Sequence, residues 1–279
     1  MNIVVHKGRW SEKEINFLKD NYGKITANEI GRILGRTKSA VQLKANRLGL
    51  EVEDKYYYKK DFFKVIDTEE KAYWLGFIMA DGCVRKTARN HELCIKLKGS
   101  DIHHLKKFNK CINGNIEVTK FTREGIFSDQ RYNTGKKYEG CQIRLYSSEM
   151  VNDLISHGVY PDKSHKDISI PNLSNDLKWH FIRGFLDGDG HIKVPKKNKK
   201  YGYEIGFTCN SESFLMELKS FFNLFNIKSH IYPNRNYYRL QIRHKKSIIT
   251  FLKCCFDNAS IFLERKYNKY LQLKKLLSE

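Results

Sequence analysis

The sequence lacks the features of membrane, secreted and disulfide-stabilised proteins. No apolar stretch among its 279 residues approaches the roughly 20 that a membrane-spanning helix needs. The opening residues MNIVVHKGRW have no apolar core of the kind that a signal peptide carries. The seven cysteines form no C-x-x-C pair, which argues against both a disulfide framework and a zinc ribbon. We therefore expect a protein of a reducing interior, cytoplasmic in the broad sense of a bacterial, phage or organellar compartment.

Acidic residues are scarce relative to basic ones. The chain carries 51 Lys and Arg against 31 Asp and Glu, a net charge of +20. A surplus of this size suits a polyanionic partner such as DNA or RNA. A cationic protein of the membrane surface is the competing class, but it would need a long basic amphipathic helix, and the sequence shows none. Hydrophobic residues make up 41% of the chain, enough for a folded core.

The first fifty residues predict three short helices. Ser11 is a suitable N-cap for the first, and Thr26 with Glu29 forms a capping box for the second. Gly35 stands where the second helix needs a C-cap, and the third begins at Thr37. The third helix turns its apolar residues inward and leaves four polar side chains outside: Lys38, Gln42, Lys44 and Arg47.

Two short helices joined by a Gly-containing turn, the second of them basic, are typical of a helix-turn-helix domain. We predict such a domain over residues 1–52, with its exposed basic helix on DNA. A three-helix bundle that binds another protein is the alternative. Residues 53–70, rich in Tyr, Phe and Lys, are interpreted as a basic aromatic linker.

The rest of the chain contains an internal repeat. AYWLGFIMADGCV (72–84) and HFIRGFLDGDGHI (180–192) align without a gap, so that Asp81 matches Asp189 at an offset of 189 − 81 = 108 residues. The same order of strands and helices follows each copy. The repeat predicts an α+β fold of two pseudo-two-fold-related αββαββα units, over residues 71–170 and 171–279.

The first helix of each unit contains small residues spaced by four: Gly76 and Ala80 in one, Gly184 and Gly188 in the other. Interior glycine costs a helix about 1 kcal/mol relative to alanine. Residues four apart lie on one face of a helix, and small residues there let two helix backbones approach closely. We therefore predict that the two helices pack against each other through this face.

An aspartate follows each pair of small residues, namely Asp81 and Asp189, and Gly82 and Gly190 then end the helices as C-caps. Two carboxylates at neighbouring helix C-termini would repel each other and the negative helix ends. A divalent cation removes this conflict, since Mg²⁺ takes carboxylate, water and phosphate oxygens as ligands. The pattern predicts a metal site at which both aspartates meet a phosphodiester.

The neighbouring acid, Asp187, has a different prediction. Its counterpart in the first copy is Met79, so no two-fold role is available to it. It also lies two residues from Asp189, about 200° around the helix. We expect Asp187 to make a local polar contact instead of binding metal.

These residues resemble a known family. WLGFIMADG, FIRGFLDGDG and the later FLERKYNKY are similar to the signature segments of LAGLIDADG homing endonucleases, over residues 71 to about 275. The first fifty residues, with W-S-x-x-E and EIGRILGRT, resemble small Myb-like helix-turn-helix domains. The likeness implies a monomeric enzyme whose two curved sheets form a saddle over DNA, and which hydrolyses both strands. It also implies that Asp81 and Asp189 bind Mg²⁺, with Mn²⁺ as a substitute. Met79 departs from the acidic sixth position of the signature.

The resemblance further implies that a basic residue assists cleavage. Lys163 in PDKSHK and Lys266 in LERKY occupy matching positions in the two units, and Lys166 competes with Lys163 for the role. A plain phosphate contact is the alternative for each.

Strand side chains are expected to reach the DNA, because alternate residues of a strand point toward the same face. The candidates for base contacts are Lys96, Lys98, Gln142, Arg144, Lys193, Arg239, Gln241 and Arg243. Lys196 and Lys197 belong to the basic run KVPKKNKKYG, which is predicted to hold phosphates. A solvated sheet surface is the alternative.

Two other functions share the same basic surface. One is an intron maturase, for which intron RNA is the partner, and the other is a transcription regulator that binds DNA without cutting it. Loss of an acid would favour either of these, and both acids are present. A self-splicing segment would need a nucleophile at its start and His-Asn at its end, so we do not expect splicing from a chain that runs from Met1 to LLSE.

Overall fold

The computed structural model describes residues 8–50, 56–124, 137–162, 166–195 and 202–278. The chain divides into two compact units, Met1–Tyr57 and Tyr58–Glu279.

The first unit contains three helices, α1 (Glu12–Asn21), α2 (Ala27–Leu34) and α3 (Lys38–Arg47). Their apolar faces meet in a small core built on Leu18, Ile30, Val41 and Ala45. The caps explain where the helices begin and end. Ser11 and Glu14 form one capping box and Thr26 and Glu29 form a second, while Gly35 ends α2 in the left-handed conformation, with φ 61°. The N-caps at Ser11, Thr26 and Thr37 and the C-cap at Gly35 confirm the boundaries predicted from the sequence.

The second unit contains two copies of one αββαββα arrangement. The first copy consists of α4 (Glu69–Asp81), β1 (Gly82–Lys86), β2 (His91–Lys98), α5 (Ile102–Cys111), β3 (Thr119–Glu124), β4 (Lys137–Tyr146) and α6 (Ser148–Ser156). The second consists of α7 (Asn175–Asp189), β5 (Gly190–Lys193), β6 (Glu204–Cys209), α8 (Glu212–Asn223), β7 (His230–Asn234), β8 (Tyr237–Ile242) and α9 (Lys245–Phe256), followed by α10 (Glu264–Ser278). The predicted α+β repeat is confirmed.

Each copy forms a four-stranded antiparallel sheet with the same strand order. The order is β1-β2-β4-β3 in the first sheet and β5-β6-β8-β7 in the second. One face of each sheet is apolar: Leu93 and Ile95 of β2 are fully buried, as are Ile205 and Phe207 of β6. Alternate residues of a strand lie on opposite faces, so the polar residues between them line the other face.

Helices α4 and α7 lie at the centre of this unit. Every residue of α4 from Ala72 to Ala80 is buried, and so is the run from Phe181 to Asp187 in α7. A helix that is buried on all sides must be covered by its neighbours instead of presenting a polar face to water. Of the helices that the structure describes, α4 and α7 make the most extensive contact with each other.

The segment before α4 belongs to the same core. Phe62, Phe63 and Ile66 are buried within the cluster that also contains α4. This part of the predicted 53–70 linker is therefore part of the second unit. Within the described parts of the chain, no helix has the length and apolar character needed to cross a membrane.

Candidate metal and nucleic-acid site

The two central helices touch through their backbones. A Cβ atom placed on Gly76 would overlap the carbonyl oxygen of Phe181, and one on Gly184 would overlap the carbonyl oxygen of Tyr73. A Cβ on Gly184 would also lie 2.8 Å from the backbone nitrogen of Phe77. Only glycine fits at these two positions, because any side chain would push the helices apart.

Gly188 and Ala80 make the next contact along the same interface. A Cβ on Gly188 would overlap the Cβ of Ala80, and it would lie 3.4 Å from the backbone nitrogen of Asp81. The four small residues predicted from their spacing are thus brought together in two opposed helices. Since Gly188 immediately precedes Asp189, the contact also brings the ends of the two helices together.

Gly82 and Gly190 end these helices in a way that differs from the prediction. A C-cap glycine usually adopts a left-handed conformation, but Gly82 has φ −73° and Gly190 has φ −98°, both ordinary extended backbone. The reason for glycine is space. A Cβ on Gly82 would lie 2.6 Å from the Ile78 carbonyl oxygen, and one on Gly190 would lie 2.7 Å from that of Leu186. The chain can therefore leave each helix tightly against its last turn and enter a strand directly.

Asp81 and Asp189 are the last residues of α4 and α7, and both are exposed. Each carboxylate stabilises the charge of the Lys266 ammonium group, so both lie within its electrostatic reach. Two exposed carboxylates that lie close together are a donor set that fits a divalent cation. Among the described residues, no group of three or more His, Cys, Asp or Glu side chains could hold a metal.

Lys266, predicted from the sequence to assist cleavage, lies against the end of α7. Its side chain is buried, and its ammonium group donates to the carbonyl oxygens of four residues at the end of α7, at 2.6–3.2 Å: Leu186, Asp187, Gly188 and Gly190. Burial lowers the pKa of Lys266 to about 8, although the nearby carboxylates oppose the shift. Lys266 therefore caps the C-terminus of α7 and offsets the negative helix end on which Asp189 stands. Its assistance in cleavage stays a prediction.

Asp187 makes local polar contacts, as expected. It is fully buried, and its Oδ2 accepts hydrogen bonds of 2.7 Å from the Tyr73 hydroxyl and from the Leu263 backbone. The Tyr73 oxygen lies 2.9 Å from Nε2 of His104, which is also buried. Burial raises the pKa of Asp187 and lowers that of His104 to about 3, so His104 is neutral at pH 7. This network connects α4 and α7 to the residues just before Lys266.

Arg183 is a buried residue that sequence reasoning missed. Its guanidinium group donates to the carbonyl oxygens of Ile261 and Cys255 and, at 2.6 Å, to the carboxylate of Glu69. It thereby joins α7 to the start of α4 and to the segment between α9 and α10. The sequence did contain a signal for this ion pair. Arg183 stands inside an apolar helix, one residue before Gly184, and a buried charge needs a partner.

A cavity of about 190 Å³ lies beside Asp189. Lys166, Thr208 and Asn210 line it together with Asp189, and Met79 closes one side. Lys166 is exposed. Lys166, predicted as the competitor of Lys163 for the catalytic role, thus lines a cavity together with Asp189. Lys163, Lys196 and Lys197 lie outside the described residues.

The predicted base-contacting residues of the first sheet share its polar face. Lys96 lies opposite Gln142, and Arg144 lies opposite Cys94, two residues from Lys96. Lys98 is exposed on the same face, while the other three are half-buried.

In the second sheet, every second position along β8 and just beyond it is polar, namely Arg239, Gln241 and Arg243. Alternate residues share a face of the sheet, and Lys193 of β5 lies on the same face. Lys193 and Arg239 are exposed, whereas Gln241 is only 8% exposed and donates to Glu204. Gln241 therefore lies beneath this surface rather than on it. In the first unit, Lys38, Gln42 and Arg47 are exposed along α3, and Lys44 is half-buried.

Glu92 and Glu204 are two acids on these faces that the sequence reasoning passed over. Arg144 donates to Glu92 at 2.6 Å, and Arg243 donates to Glu204 at 2.7 Å. The signal was in the repeat, because ELCIKLK and EIGFTC, which begin with these glutamates, occupy matching places.

Two family models match the second unit of the chain. One is described as a LAGLIDADG-like domain and matches residues 176–255, and the other is the WhiA LAGLIDADG-like domain and matches residues 70–123. The chain thus contains LAGLIDADG-like sequence in both copies of the repeat.

Two curated relatives resemble parts of the chain. The probable translation initiation factor IF-2 of Methanocaldococcus jannaschii is 26% identical over an alignment of 219 residues, and the match covers 71% of this chain and 16% of that protein. The probable cell division protein WhiA of Clostridium beijerinckii is 27% identical over 86 residues, 31% of this chain and 26% of that protein. The chain therefore spans about a quarter or less of the length of these relatives.

Among solved structures, the homing endonuclease I-WcaI bound to its DNA recognition sequence resembles the chain with a TM-score of 0.53. The two are 18% identical, and the match covers 80% of this chain and 96% of that one. Full-length DUF199/WhiA from Thermatoga maritima gives a TM-score of 0.45 at 18% identity, over 77% of this chain and 64% of that one. The chain has the two-repeat LAGLIDADG fold.

Proposed function

We propose that the protein is a site-specific endonuclease that hydrolyses both strands of DNA, with a divalent cation such as Mg²⁺ or Mn²⁺ held by Asp81 and Asp189. The observation that carries this proposal is the position of the two carboxylates. Each is exposed at the C-terminus of a helix, and the two helices are in backbone contact just before them. Like charges at two negative helix ends destabilise each other, and a shared cation removes the conflict.

The chain's own residues have distinct roles in this proposal. Asp81 and Asp189 hold the cation, which when bound supplies an acidified water and stabilises charge on the attacked phosphate. Lys266 fixes the end of α7 through four backbone hydrogen bonds and so keeps Asp189 in place. Lys166 lines the cavity beside Asp189 and is an exposed residue, so its ammonium group can pair with a phosphate oxygen. Lys163 stays a candidate for the corresponding role.

DNA binding is supported by the two basic sheet faces and by the net charge of +20. Lysine and arginine side chains on these faces would contact the phosphates of duplex DNA and the base edges that its major groove exposes. We further propose that the first unit is a helix-turn-helix domain, with α3 as the helix that enters the groove. The homing endonuclease of similar fold is bound to its recognition sequence, which supports duplex DNA as the partner.

A second candidate is a DNA-binding regulator that does not cut. The match of residues 70–123 to the WhiA LAGLIDADG-like domain, and the likeness to a probable cell division protein, support it. Such a protein has no need for two exposed aspartates at paired helix ends, and this chain has both. The carboxylate pair therefore favours the nuclease. A maturase that binds intron RNA would use the basic surface alone.

The test is to incubate the full chain with a library of randomised duplex DNA in Mg²⁺, and with EDTA in a parallel sample. The nuclease predicts double-strand breaks at one enriched sequence in Mg²⁺ and none in EDTA. Specific binding without cutting in either Mg²⁺ or Mn²⁺ would replace the nuclease with the regulator. A preference for structured RNA over every duplex sequence would favour the maturase.

A further inference from the structure

Two glutamates are buried on the polar faces of the two sheets, where nearly every neighbouring side chain is basic or neutral. Glu92 is 2% exposed and Glu204 is 7% exposed. A buried carboxylate is costly unless charged or polar partners hold it. On a surface proposed to meet polyanionic DNA, a carboxylate is also electrostatically unfavourable. Both glutamates therefore need a specific explanation.

The two residues occupy equivalent places in the two copies of the fold. Glu92 of β2 lies opposite Arg85 of β1, and Glu204 of β6 lies opposite Lys193 of β5. Arg85 and Lys193 each come four residues after the aspartate that ends the preceding helix. The same device is thus present once in each half of the proposed DNA-binding surface.

Glu204 uses both carboxylate oxygens. Its Oε1 is 2.8 Å from Nε2 of His191 and accepts a hydrogen bond of 3.1 Å from Gln241, while its Oε2 accepts one of 2.7 Å from Nε of Arg243. Burial opposes the ionisation of Glu204, but the hydrogen bonds from His191 and Arg243 outweigh it and lower its pKa. Glu204 is therefore a fixed negative anchor at neutral pH.

Arg243 is held at one edge only. Its guanidinium carbon lies 5.9 Å from the centre of the Tyr232 ring, and its side chain is 59% exposed. Within the described ranges, no residue accepts a hydrogen bond from its Nη atoms. The anchor thus occupies the Nε edge of the guanidinium group and leaves the two Nη groups available to a partner.

Arg144 of the first sheet is also held by a glutamate, but through the other edge of its guanidinium group. Its Nη1 donates to Glu92 at 2.6 Å, its Nη2 donates to Gln142 at 3.3 Å, and its side chain is 38% exposed. Each Nη atom carries a second hydrogen that can be donated to a partner. Arg85 is the second cation beside Glu92, with 3.6 Å between Nη1 and Oε2.

An arginine side chain that is held in one rotamer recognises a base more selectively than an arginine side chain that is unrestrained. An arginine side chain without such a partner loses rotamer entropy when it binds a base, and it can turn to any nearby phosphate instead. A fixed guanidinium fork can match the O6 and N7 acceptors of guanine in the major groove. The anchor therefore converts a general cation into a directional donor.

We propose that Glu92 and Glu204 are positioning residues that orient Arg144 and Arg243 to read base edges, one in each half of a DNA target. The inference rests on the proposed binding of duplex DNA, but not on cleavage. Because Arg243 is expected to donate to two acceptors on one base, guanine is the base that its half of the target should specify.

The test is a binding selection from randomised duplex DNA in EDTA, so that no strand is cut, with the wild type and four variants. Glu204→Gln keeps the size of the side chain but removes its charge, and Arg243→Lys keeps the charge but removes the fork. The double variant tests whether the two residues act together. Glu149→Gln, an exposed residue in the first turn of α6, is the control for the change in net charge.

We expect Glu204→Gln and Arg243→Lys each to reduce the preference for one base about tenfold, at the same one or two positions of the DNA target. One well-made bidentate contact discriminates between bases by about that factor. The double variant should lose no more than either single variant. The slope of affinity against salt concentration should change little in Glu204→Gln, since phosphate contacts set it. Glu149→Gln should keep the wild-type profile.

Three outcomes would overturn the inference: an unchanged base profile in Glu204→Gln, an unchanged profile in Arg243→Lys, or losses at different positions that add in the double variant. Arg243→Lys alters an exposed side chain, so it decides the matter even where Glu204→Gln fails to fold. Glu92→Gln repeats the test in the other sheet, where the other half of the target should relax. A wild type that enriches no sequence would instead remove the proposed function.

Discussion

The backbone of Gly184 lies directly against the carbonyl group of Tyr73, and the backbone of Gly76 lies in the same way against that of Phe181. The two contacts are equivalent in the repeat, since 184 − 76 and 181 − 73 are both 108. The central helices therefore meet by backbone contact at two symmetric points. This contact determines how close Asp81 and Asp189 come to each other at the helix ends.

Replacing Gly184 by alanine should destabilise the protein despite the better helix propensity of alanine. The new methyl group has no space, because its neighbours are backbone atoms of Tyr73 and Phe77 that cannot turn away. We expect a loss of about 1–3 kcal/mol in the free energy of unfolding, or more, measured by urea denaturation. A variant as stable as the wild type would show that the helices are not in backbone contact there.

The contact between Gly188 and Ala80 allows a compensated exchange. Gly188→Ala alone should destabilise the protein, because its methyl group overlaps that of Ala80. Adding Ala80→Gly moves the methyl group from one helix to the other, and the nearest remaining atoms, the backbone nitrogen of Asp81 and the α-carbon at position 80, are at 3.4 Å and 3.6 Å. We therefore expect the double variant to regain most of the lost stability in the same measurement. Additive losses would contradict the packing of these two residues against each other.

The helix pair could be predicted because its causes are local in sequence. The spacing of Gly76, Ala80, Gly184 and Gly188, repeated at a constant offset, is enough to indicate two faces that need close approach. The reason for Gly82 and Gly190 could not be found in this way. Whether a glycine is needed for its conformation or for space depends on where the preceding turn lies, and this follows only from the folded structure.

The hydrogen bond from Tyr73 to Asp187 should stabilise the contact between the central helices. Tyr73→Phe removes the hydroxyl donor and leaves the Leu263 backbone nitrogen as the remaining hydrogen-bond donor to the buried carboxylate of Asp187 among the described residues. We expect a loss of about 1–3 kcal/mol in the free energy of unfolding, since a buried carboxylate loses one of its two hydrogen-bond donors. Thermal unfolding measures it, and Tyr138→Phe, in which the tyrosine is 49% exposed, is the matched control. Equal stability of the two variants would mean that the network does not contribute.

The first unit should lose stability in acid through Glu14. Arg36 donates to this carboxylate at 2.9 Å, and this hydrogen bond lowers the pKa of Glu14 from 4.5 to about 2, against the opposing effect of burial. Because the folded-state pKa is the lower one, the stabilisation is complete above pH 4.5 and is lost as the pH falls toward 2.

Hydrogen exchange of peptides from residues 8–50 in the full chain measures this effect. Protection, corrected for intrinsic exchange rates, should fall by at least about tenfold between pH 5 and pH 2, the equivalent of one pKa unit. In Glu14→Gln this part of the fall in protection between pH 5 and pH 2 should be absent. The same pH dependence in the variant would assign the effect to other groups.

The polar parts of the site show where sequence reasoning reached its limit. Lys266 was found by its position in the repeat, but its burial and its four carbonyl partners depend on how α10 docks on the end of α7. Arg183 and Glu204 have partners that are distant in sequence. Arg183, for example, donates to the carbonyl oxygen of Cys255, which is 72 residues away. Such contacts follow from the folded arrangement and leave no periodic signal.

The most direct test of a metal site at Asp81 and Asp189 is single-turnover cleavage of the selected DNA site in Mg²⁺ by the wild type, Asp81→Asn and Asp189→Asn. Each variant keeps the shape of the side chain and removes one charged metal ligand. We expect the wild type to cut both strands. Each variant should bind the site in EDTA with an affinity close to that of the wild type but cut it at least about a hundredfold more slowly, because the stabilisation of transition-state charge is lost. Undiminished cutting by both variants would contradict a metal site formed by this pair of aspartates.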